Sequence, residues 1–64
     1  PAPTAQEVLD LLRSDPYRPW HGRDVAQILH VTNINSLCTR MSQWASKGLL
    51  HKIGRATYTL TPAT

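Results

Sequence analysis

The stretch that decides the fold runs from residue 32 to residue 50 and reads TNINSLCTRMSQWASKGLL. Its large apolar side chains recur every three or four residues, which is the spacing of one face of an α-helix. We therefore predict a helix over residues 33–47, with Thr32 as its N-cap and Gly48 as its stop. The side chains predicted to point into the core are Ile34, Leu37, Met41 and Trp44.

The opposite face of this helix is polar and carries no acid. Short hydrogen-bonding side chains beside cations are the groups that contact base edges and phosphates, so this face predicts a recognition helix. Two of its residues come late in the helix and are expected to face solvent alone, namely Ser46 and Lys47. The whole face consists of Asn35, Ser36, Thr39, Ser42, Gln43 and Ser46, with Arg40 and Lys47 at its flank.

Length and composition predict one small domain over residues 1–64. A chain of 64 residues buries only about 60% of its unfolded surface, so each core side chain matters for stability. Cys38 is the only cysteine and cannot form an internal disulfide, which favours the reducing cytoplasm over a secreted disulfide scaffold. The sequence has no apolar run of membrane-spanning length and no signal-peptide pattern. From the start at Pro1 we expect a processed chain or a fragment, and residues 60–64 resemble a natural C-terminus.

The charge is distributed unevenly along the chain, whose formal net charge is +3. The first 24 residues contain all four acids and three arginines, a net charge of −1. The remaining residues contain no acid. This asymmetry favours a C-terminal half that faces a polyanion, although so few cations also arise by chance in a short chain. The cations of that half are Arg40, Lys47, Lys52 and Arg55.

The N-terminal part predicts a first helix over residues 5–14. Thr4 and Glu7 have the spacing of a capping box, and Pro16 disfavours helical geometry at the residue before it. After the proline, residues 17–21 predict a very short edge strand with Trp20 pointing into the core. The apolar stripe of the first helix consists of Ala5, Val8, Leu9 and Leu12.

A second helix is predicted over residues 22–30, with Asp24 in the first turn, where a negative charge suits the helix dipole. Its inward side chains are expected to be Val25, Ile28 and Leu29. Two short helices joined by a turn of about three to four residues form a helix-turn-helix unit.

The period changes after Gly48, and residues 49–60 predict a β-hairpin. Gly54 and Arg55 lie between its two apolar runs, so we expect a glycine at the turn. Alternation along the second strand turns Tyr58 and Leu60 inward and leaves Thr57 and Thr59 outward.

The order helix, short strand, helix, helix, hairpin resembles the winged helix-turn-helix DNA-binding domain family, whose fold class is α+β. The resemblance covers the chain from about Thr4 to Leu60. It rests on RDVAQIL at residues 23–29, on the turn that follows, and on WASKGLL at residues 44–50. The chain is also similar to the C-terminal DNA-reading domains of bacterial DNA translocases, including those of conjugal plasmids. Its motifs do not separate such a domain from the reading head of a transcription regulator.

The resemblance implies binding of double-stranded DNA with sequence preference. The third helix would enter the major groove, and the hairpin, or wing, would touch the backbone or minor groove. Ala26 matches the small residue that lets the second and third helices approach. His30 stands where many members carry glycine, which predicts a less tight turn. The residues implied to contact DNA are Asn33, Asn35, Ser36, Thr39, Arg40 and Gln43 on the helix, and Lys52 and Arg55 on the wing.

Other interpretations of the same residues stay open. Asn33 and Asn35 also suit capping and turn positions, and Arg40 and Arg55 also suit solvated surface positions. A winged helix can serve protein–protein contact instead, for which exposed large apolar residues on the third helix would be typical.

Metal-binding and catalytic functions find little support in the sequence. A zinc site is disfavoured because its candidate ligands lack ligand spacing, so we expect no metal and no cofactor. The chain has no glycine-rich phosphate loop and no nucleophile beside a base, which disfavours an enzyme. The residues considered for zinc are His21, His30, His51 and Cys38.

Overall fold

A computed structural model of the chain describes residues 3–60. Residues 1–2 and 61–64 lie outside the described residues, and with them most of the expected lead-in and C-terminal ending. The described part is an α+β arrangement of three helices and an antiparallel sheet of three strands. None of these helices is long and apolar enough to cross a membrane. In chain order the elements are α1 (Ala5–Arg13), β1 (Trp20–His21), α2 (Gly22–Ile28), α3 (Ile34–Ser46), β2 (His51–Gly54) and β3 (Thr57–Thr59).

The start of α1 confirms the predicted capping box. The Thr4 hydroxyl accepts from the Glu7 amide at 3.2 Å, and the Thr4 amide donates to the Glu7 carboxylate at 3.3 Å. Val8 and Leu12 are fully buried. The helix ends at Arg13, one residue before the predicted end, because Ser14 is its C-cap.

The helices α2 and α3 end in the same way. In each, the second residue after the C-cap donates to a carbonyl five residues back, from Val31 to Ala26 at 2.8 Å and from Leu49 to Trp44 at 3.0 Å. This Schellman arrangement needs a left-handed residue in between. Gly48 fills that position after α3 with a φ of 84°, and His30 fills it after α2 with a φ of 58°. The looser turn expected from His30 is therefore wrong, and α2 stops at Ile28 rather than at residue 30.

The sheet has β3 in its centre, with Tyr58 opposite both Trp20 of β1 and Lys52 of β2. The prediction that Thr59 points outward is wrong, since Thr59 is 2% exposed. Its hydroxyl donates to the carbonyl of Pro16 at 3.1 Å. The chain after α1 therefore covers a face that an isolated hairpin would leave in water.

The expected glycine at the hairpin turn is also wrong. Gly54 belongs to β2, where the register slips between Lys52 and Gly54. The turn consists of Arg55 and Ala56, and Ala56 takes a φ of 52°. The Ala56 carbonyl accepts from the Gly22 amide at 2.9 Å, so the turn is tied to the start of α2.

The apolar stripes of α2 and α3 are shorter than predicted. Ile28 and Ile34 were expected inside but are 47% and 40% exposed. They are the last residue of α2 and the first of α3, where a side chain extends past the neighbouring element. The N-cap of α3 is Asn33 rather than Thr32, since the Asn33 side chain accepts from the Ser36 amide at 3.1 Å. With Lys47 as the C-cap, α3 covers residues 34–46 rather than 33–47.

One core joins these elements, and both tryptophans belong to it, as predicted. Trp20 is 2% and Trp44 8% exposed. Gly22 lies so close to Cys38 that an added Cβ would meet the sulfur, which makes the contact between α2 and α3 tight. Cys38 is half-buried, as expected for a small residue at the core edge. The buried apolar residues are Val8, Leu12, Trp20, Val25, Ala26, Leu37, Met41, Trp44, Leu50 and Tyr58.

Trp44→Ala is expected to destabilise the fold by about 3–5 kcal/mol, the cost of truncating a large aromatic core residue. A domain of this size has a total stability of roughly 3–10 kcal/mol. Urea unfolding followed by circular dichroism should therefore show little folded baseline. The control Ile28→Ala removes a half-exposed side chain and should cost about 1 kcal/mol or less. Equal midpoints for the two variants would contradict the core position of Trp44.

His30→Gly is expected to stabilise the fold by roughly 0.5 kcal/mol. It relieves a left-handed strain of about 1–2 kcal/mol, partly offset by about 0.5–1 kcal/mol from the flexibility of glycine in the unfolded chain. Gly48→Ala is the matched control, because nothing lies within 4 Å of the added Cβ. It should destabilise the fold by about 1 kcal/mol. Both shifts can be measured by urea denaturation, and a destabilised His30→Gly variant would mean that the imidazole makes a stabilising contact.

Candidate nucleic-acid interface

A line of polar side chains runs along the outside of α3. Its members are three or four residues apart, so at about 100° per residue they share one face of the helix. All of them are exposed. This polar stripe consists of Asn35, Thr39, Gln43 and Ser46.

Arg40 lies on one side of the polar stripe. Its guanidinium carbon is 5.4 Å from the centroid of the Trp44 ring, and the residue is half-buried. Because Trp44 lies one turn further along the same helix, the Arg40 side chain runs along α3. Five of the predicted contact residues come together here around a shallow surface, which we call the Arg40 surface. They are Asn33, Asn35, Ser36, Thr39 and Arg40.

The hairpin borders the other side of the polar stripe and forms an open groove with α3. Lys52 of β2 and Arg55 of the turn meet Thr39 and Gln43 of α3 in this hairpin groove. The eight predicted residues thus form two adjoining groups that share Thr39. The groove is lined by Cys38, Thr39, Ser42, Gln43, Ser46, Lys52, Arg55, Ala56 and Tyr58.

The electrostatics of both surfaces are one-sided. Within residues 3–60, the four acids lie on α1, just after it and on α2, and none lines the Arg40 surface or the hairpin groove. Cations are present in both, Arg40 in the first and Lys52 with Arg55 in the second. The polar stripe therefore lies between positive charges with no carboxylate to neutralise them.

Hydrogen bonds within α3 decide which polar groups are available to a ligand. The hydroxyls of Thr39 and Ser46 donate to the carbonyls of Asn35 and Ser42, at 2.9 and 3.2 Å. The Asn33 side-chain oxygen is occupied as the N-cap, which supports the capping role considered for that residue. In contrast, the side-chain amides of Asn35 and Gln43 have no hydrogen-bond partner among residues 3–60. These two amides can donate and accept toward a ligand at the same time.

Three polar residues of the hairpin groove were not among the predicted DNA contacts. Ser46 was assigned to solvent and Tyr58 to the core, while Ser42 was placed on the polar face of the helix without a predicted contact. All three line the groove. The helical spacing from Thr39 already places Ser42 and Ser46 nearby, so a pattern existed for both. The Tyr58 hydroxyl had no such signal, because its position depends on how β3 packs against α3.

The residues considered for zinc do not gather in the structure. Within residues 3–60, no group of three or more His, Cys, Asp or Glu side chains is arranged to hold a metal ion. The Nδ1 atom of His21 lies 3.2 Å from the Thr57 hydroxyl, and Cys38 packs beside Gly22.

Comparison of the chain with protein-family models, with curated proteins and with solved structures finds no match.

Proposed function

We propose that the chain is a winged helix-turn-helix module that binds double-stranded DNA with sequence preference. The observation that carries this proposal is the acid-free polar stripe of α3 with cations on both sides. The major groove of DNA is about 12 Å wide and admits an α-helix, with a phosphate backbone on either side. A helix that presents neutral hydrogen-bonding groups in the middle and cations at its flanks matches that arrangement.

The positions of the side chains on either side of the polar stripe support this orientation of α3. At about 100° per residue, Arg40 lies on one side of the stripe and Ser42 on the other. Ser42 faces the hairpin, since its hydroxyl lies 3.4 Å from the Lys52 ammonium nitrogen. With α3 in the major groove, Arg40 lies toward one DNA strand, where its guanidinium can reach the base edges, while Lys52 and Arg55 approach the backbone of the other.

Within this proposal the residues divide the work by chemistry. The amides of Asn35 and Gln43 point toward base edges, where an amide can bond adenine through N6 and N7. Ser36 and Thr39 contact the bases or sugars beside them, and Asn33 contacts the backbone at the start of α3. Arg40 is the candidate for a guanine, because a guanidinium can bond O6 and N7 together. Lys52 and Arg55 supply the wing contacts to phosphate or the minor groove.

We place this module in the cytoplasm, as the DNA-reading part of a translocase or a transcription regulator. It needs no catalysis, metal or cofactor. The alternative function is a winged-helix module for protein–protein contact. Selection of bound duplexes from a random pool distinguishes these three possibilities. A repeated site indicates a translocase, a palindromic site indicates a transcription regulator, and failure to recover any site indicates protein–protein contact.

DNA binding is expected to weaken steeply with salt. With about four phosphate contacts, the logarithm of the association constant should fall against the logarithm of salt concentration with a slope of about −3 to −4. Fluorescence anisotropy of a labelled duplex, titrated at several salt concentrations, measures the slope. Binding that is insensitive to salt would rule out the proposed electrostatic contribution.

Arg40→Ala and Arg55→Ala are expected to affect DNA binding in different ways. Arg40→Ala should weaken binding by about 1–3 kcal/mol and relax the preference at one base pair. Arg55→Ala should weaken all sequences alike and reduce the magnitude of the salt slope by about one. Both variants are measured against the preferred duplex, a single-base variant and a scrambled duplex.

Arg13→Ala is the control for these two variants. Arg13 lies on α1 and pairs with Asp10 at 2.8 Å, so its removal should leave both affinity and preference unchanged. If Arg40→Ala weakens all three duplexes equally, then Arg40 is a backbone contact. Specificity would in that case come from Asn35, Ser36, Thr39 or Gln43.

A further inference from the structure

Four polar groups are linked by consecutive hydrogen bonds between the hairpin and α3. The Lys52 ammonium nitrogen lies 3.4 Å from the Ser42 hydroxyl oxygen. That oxygen lies 2.9 Å from the Tyr58 hydroxyl oxygen, which in turn lies 3.1 Å from the backbone carbonyl of Cys38. This hydrogen-bonded series starts at the exposed Lys52 side chain and ends inside the fold, since Tyr58 is only 1% exposed.

The chemistry of the two ends fixes the direction of every hydrogen bond. A lysine ammonium only donates, and a backbone carbonyl only accepts. The Tyr58 hydroxyl has one proton, which goes to the Cys38 carbonyl, so its oxygen accepts from Ser42. The Ser42 proton is thereby committed to Tyr58, and the Ser42 oxygen accepts from Lys52. The Ser42 oxygen is therefore the acceptor for the lysine ammonium, and the Tyr58 hydroxyl orients Ser42 for this role.

This arrangement provides contacts within the fold for a side chain that is otherwise flexible. A lysine carries a compact charge on a stem of four carbons and loses rotamer entropy when it binds. Here one of its three N–H groups donates to Ser42, and the nitrogen lies 6.0 Å from the centroid of the Tyr58 ring, within reach of a cation–π contact. Among residues 3–60 the ammonium has no other hydrogen-bond partner, so two N–H groups remain for a ligand in the hairpin groove.

We propose that Ser42 and Tyr58 are positioning residues that hold the Lys52 ammonium beside α3, ready to contact a phosphate. This inference rests on the proposed function. It places a preset wing contact on β2, next to Gln43 in the hairpin groove, rather than at the turn where Arg55 lies. Ser42 and Tyr58 act through Lys52 and do not themselves contact DNA.

A double-mutant cycle between Ser42 and Lys52 tests the inference. The 64-residue chain, Ser42→Ala, Lys52→Met and the double variant are titrated with a labelled duplex that the unmodified chain selects from a random pool. Ser42→Ala should weaken binding about three- to fivefold, the loss of one orienting hydrogen bond. The salt slope should stay unchanged, because the charge is still present. Lys52→Met should reduce the magnitude of the slope by about one.

The decisive measurement is the effect of Ser42→Ala in the Lys52→Met background, where we expect none. Ser14→Ala is the matched control, because the Ser14 hydroxyl also bonds within the fold, donating to the Leu11 carbonyl at 2.6 Å, while Ser14 lies at the C-cap of α1, outside the hairpin groove and the Arg40 surface. It should not change affinity in either background. Tyr58→Phe keeps the buried ring, and it should act in the same direction as Ser42→Ala and likewise only when Lys52 is present.

The inference is overturned if Ser42→Ala weakens binding equally with and without Lys52, or no more than Ser14→Ala does. Thermal unfolding of each variant accompanies the titrations, and the comparison is made at a temperature where all are folded. If the unmodified chain binds duplexes with the expected salt slope but shows no coupling, the proposed function stands and the positioning role falls. If it binds no duplex at any salt concentration, both fall together.

Discussion

The packing of Tyr58 against α3 is the interaction on which the rest of the structure depends. Tyr58 lies on the central strand, opposite Trp20 on one side and Lys52 on the other, and its hydroxyl bonds to Ser42 and to the Cys38 carbonyl. A sheet this small is marginal in water and needs a packed face to persist. By joining sheet and helix through one buried side chain, the fold also fixes where the hairpin stands relative to the outer face of α3.

The second constraint is the close approach of α2 and α3. Gly22 leaves room for Cys38, and Ala26 of α2 is buried. The carbonyl of Ala26 also accepts the bond that closes the turn, so packing and turn geometry act at the same residue. His30 takes a strained backbone conformation there, which the surrounding contacts must maintain. These contacts set the direction in which α3 leaves the turn and keep its polar stripe in water.

The sequence predicted what local patterns determine and missed what distant parts of the chain determine. The capping box of Thr4, the core positions of Trp20 and Trp44 and the stop at Gly48 follow from spacing and residue chemistry. Ile34 was misplaced because periodicity predicts the direction in which a side chain points from the helix axis. It does not predict whether another element packs over that side chain. Thr59 was misplaced because its partner Pro16 is 43 residues away. For the candidate site, periodicity identified the polar face of α3, whereas its division into the Arg40 surface and the hairpin groove depends on tertiary packing.

The cations on the two sides of α3 have different contacts within the fold, and this difference bears on the proposed function. The Arg40 guanidinium carbon lies 5.4 Å from the centroid of the Trp44 ring, and the Lys52 ammonium nitrogen lies 3.4 Å from the Ser42 hydroxyl oxygen. A side chain with a contact inside the fold loses less entropy on binding, so both contacts favour defined positions over diffuse attraction. Asn35 and Gln43, which have no partner among residues 3–60, lie between these cations with their amides available. In the proposed function these charges would set the register of the helix on DNA, and the amides of Asn35 and Gln43 would contact the bases that lie in this register.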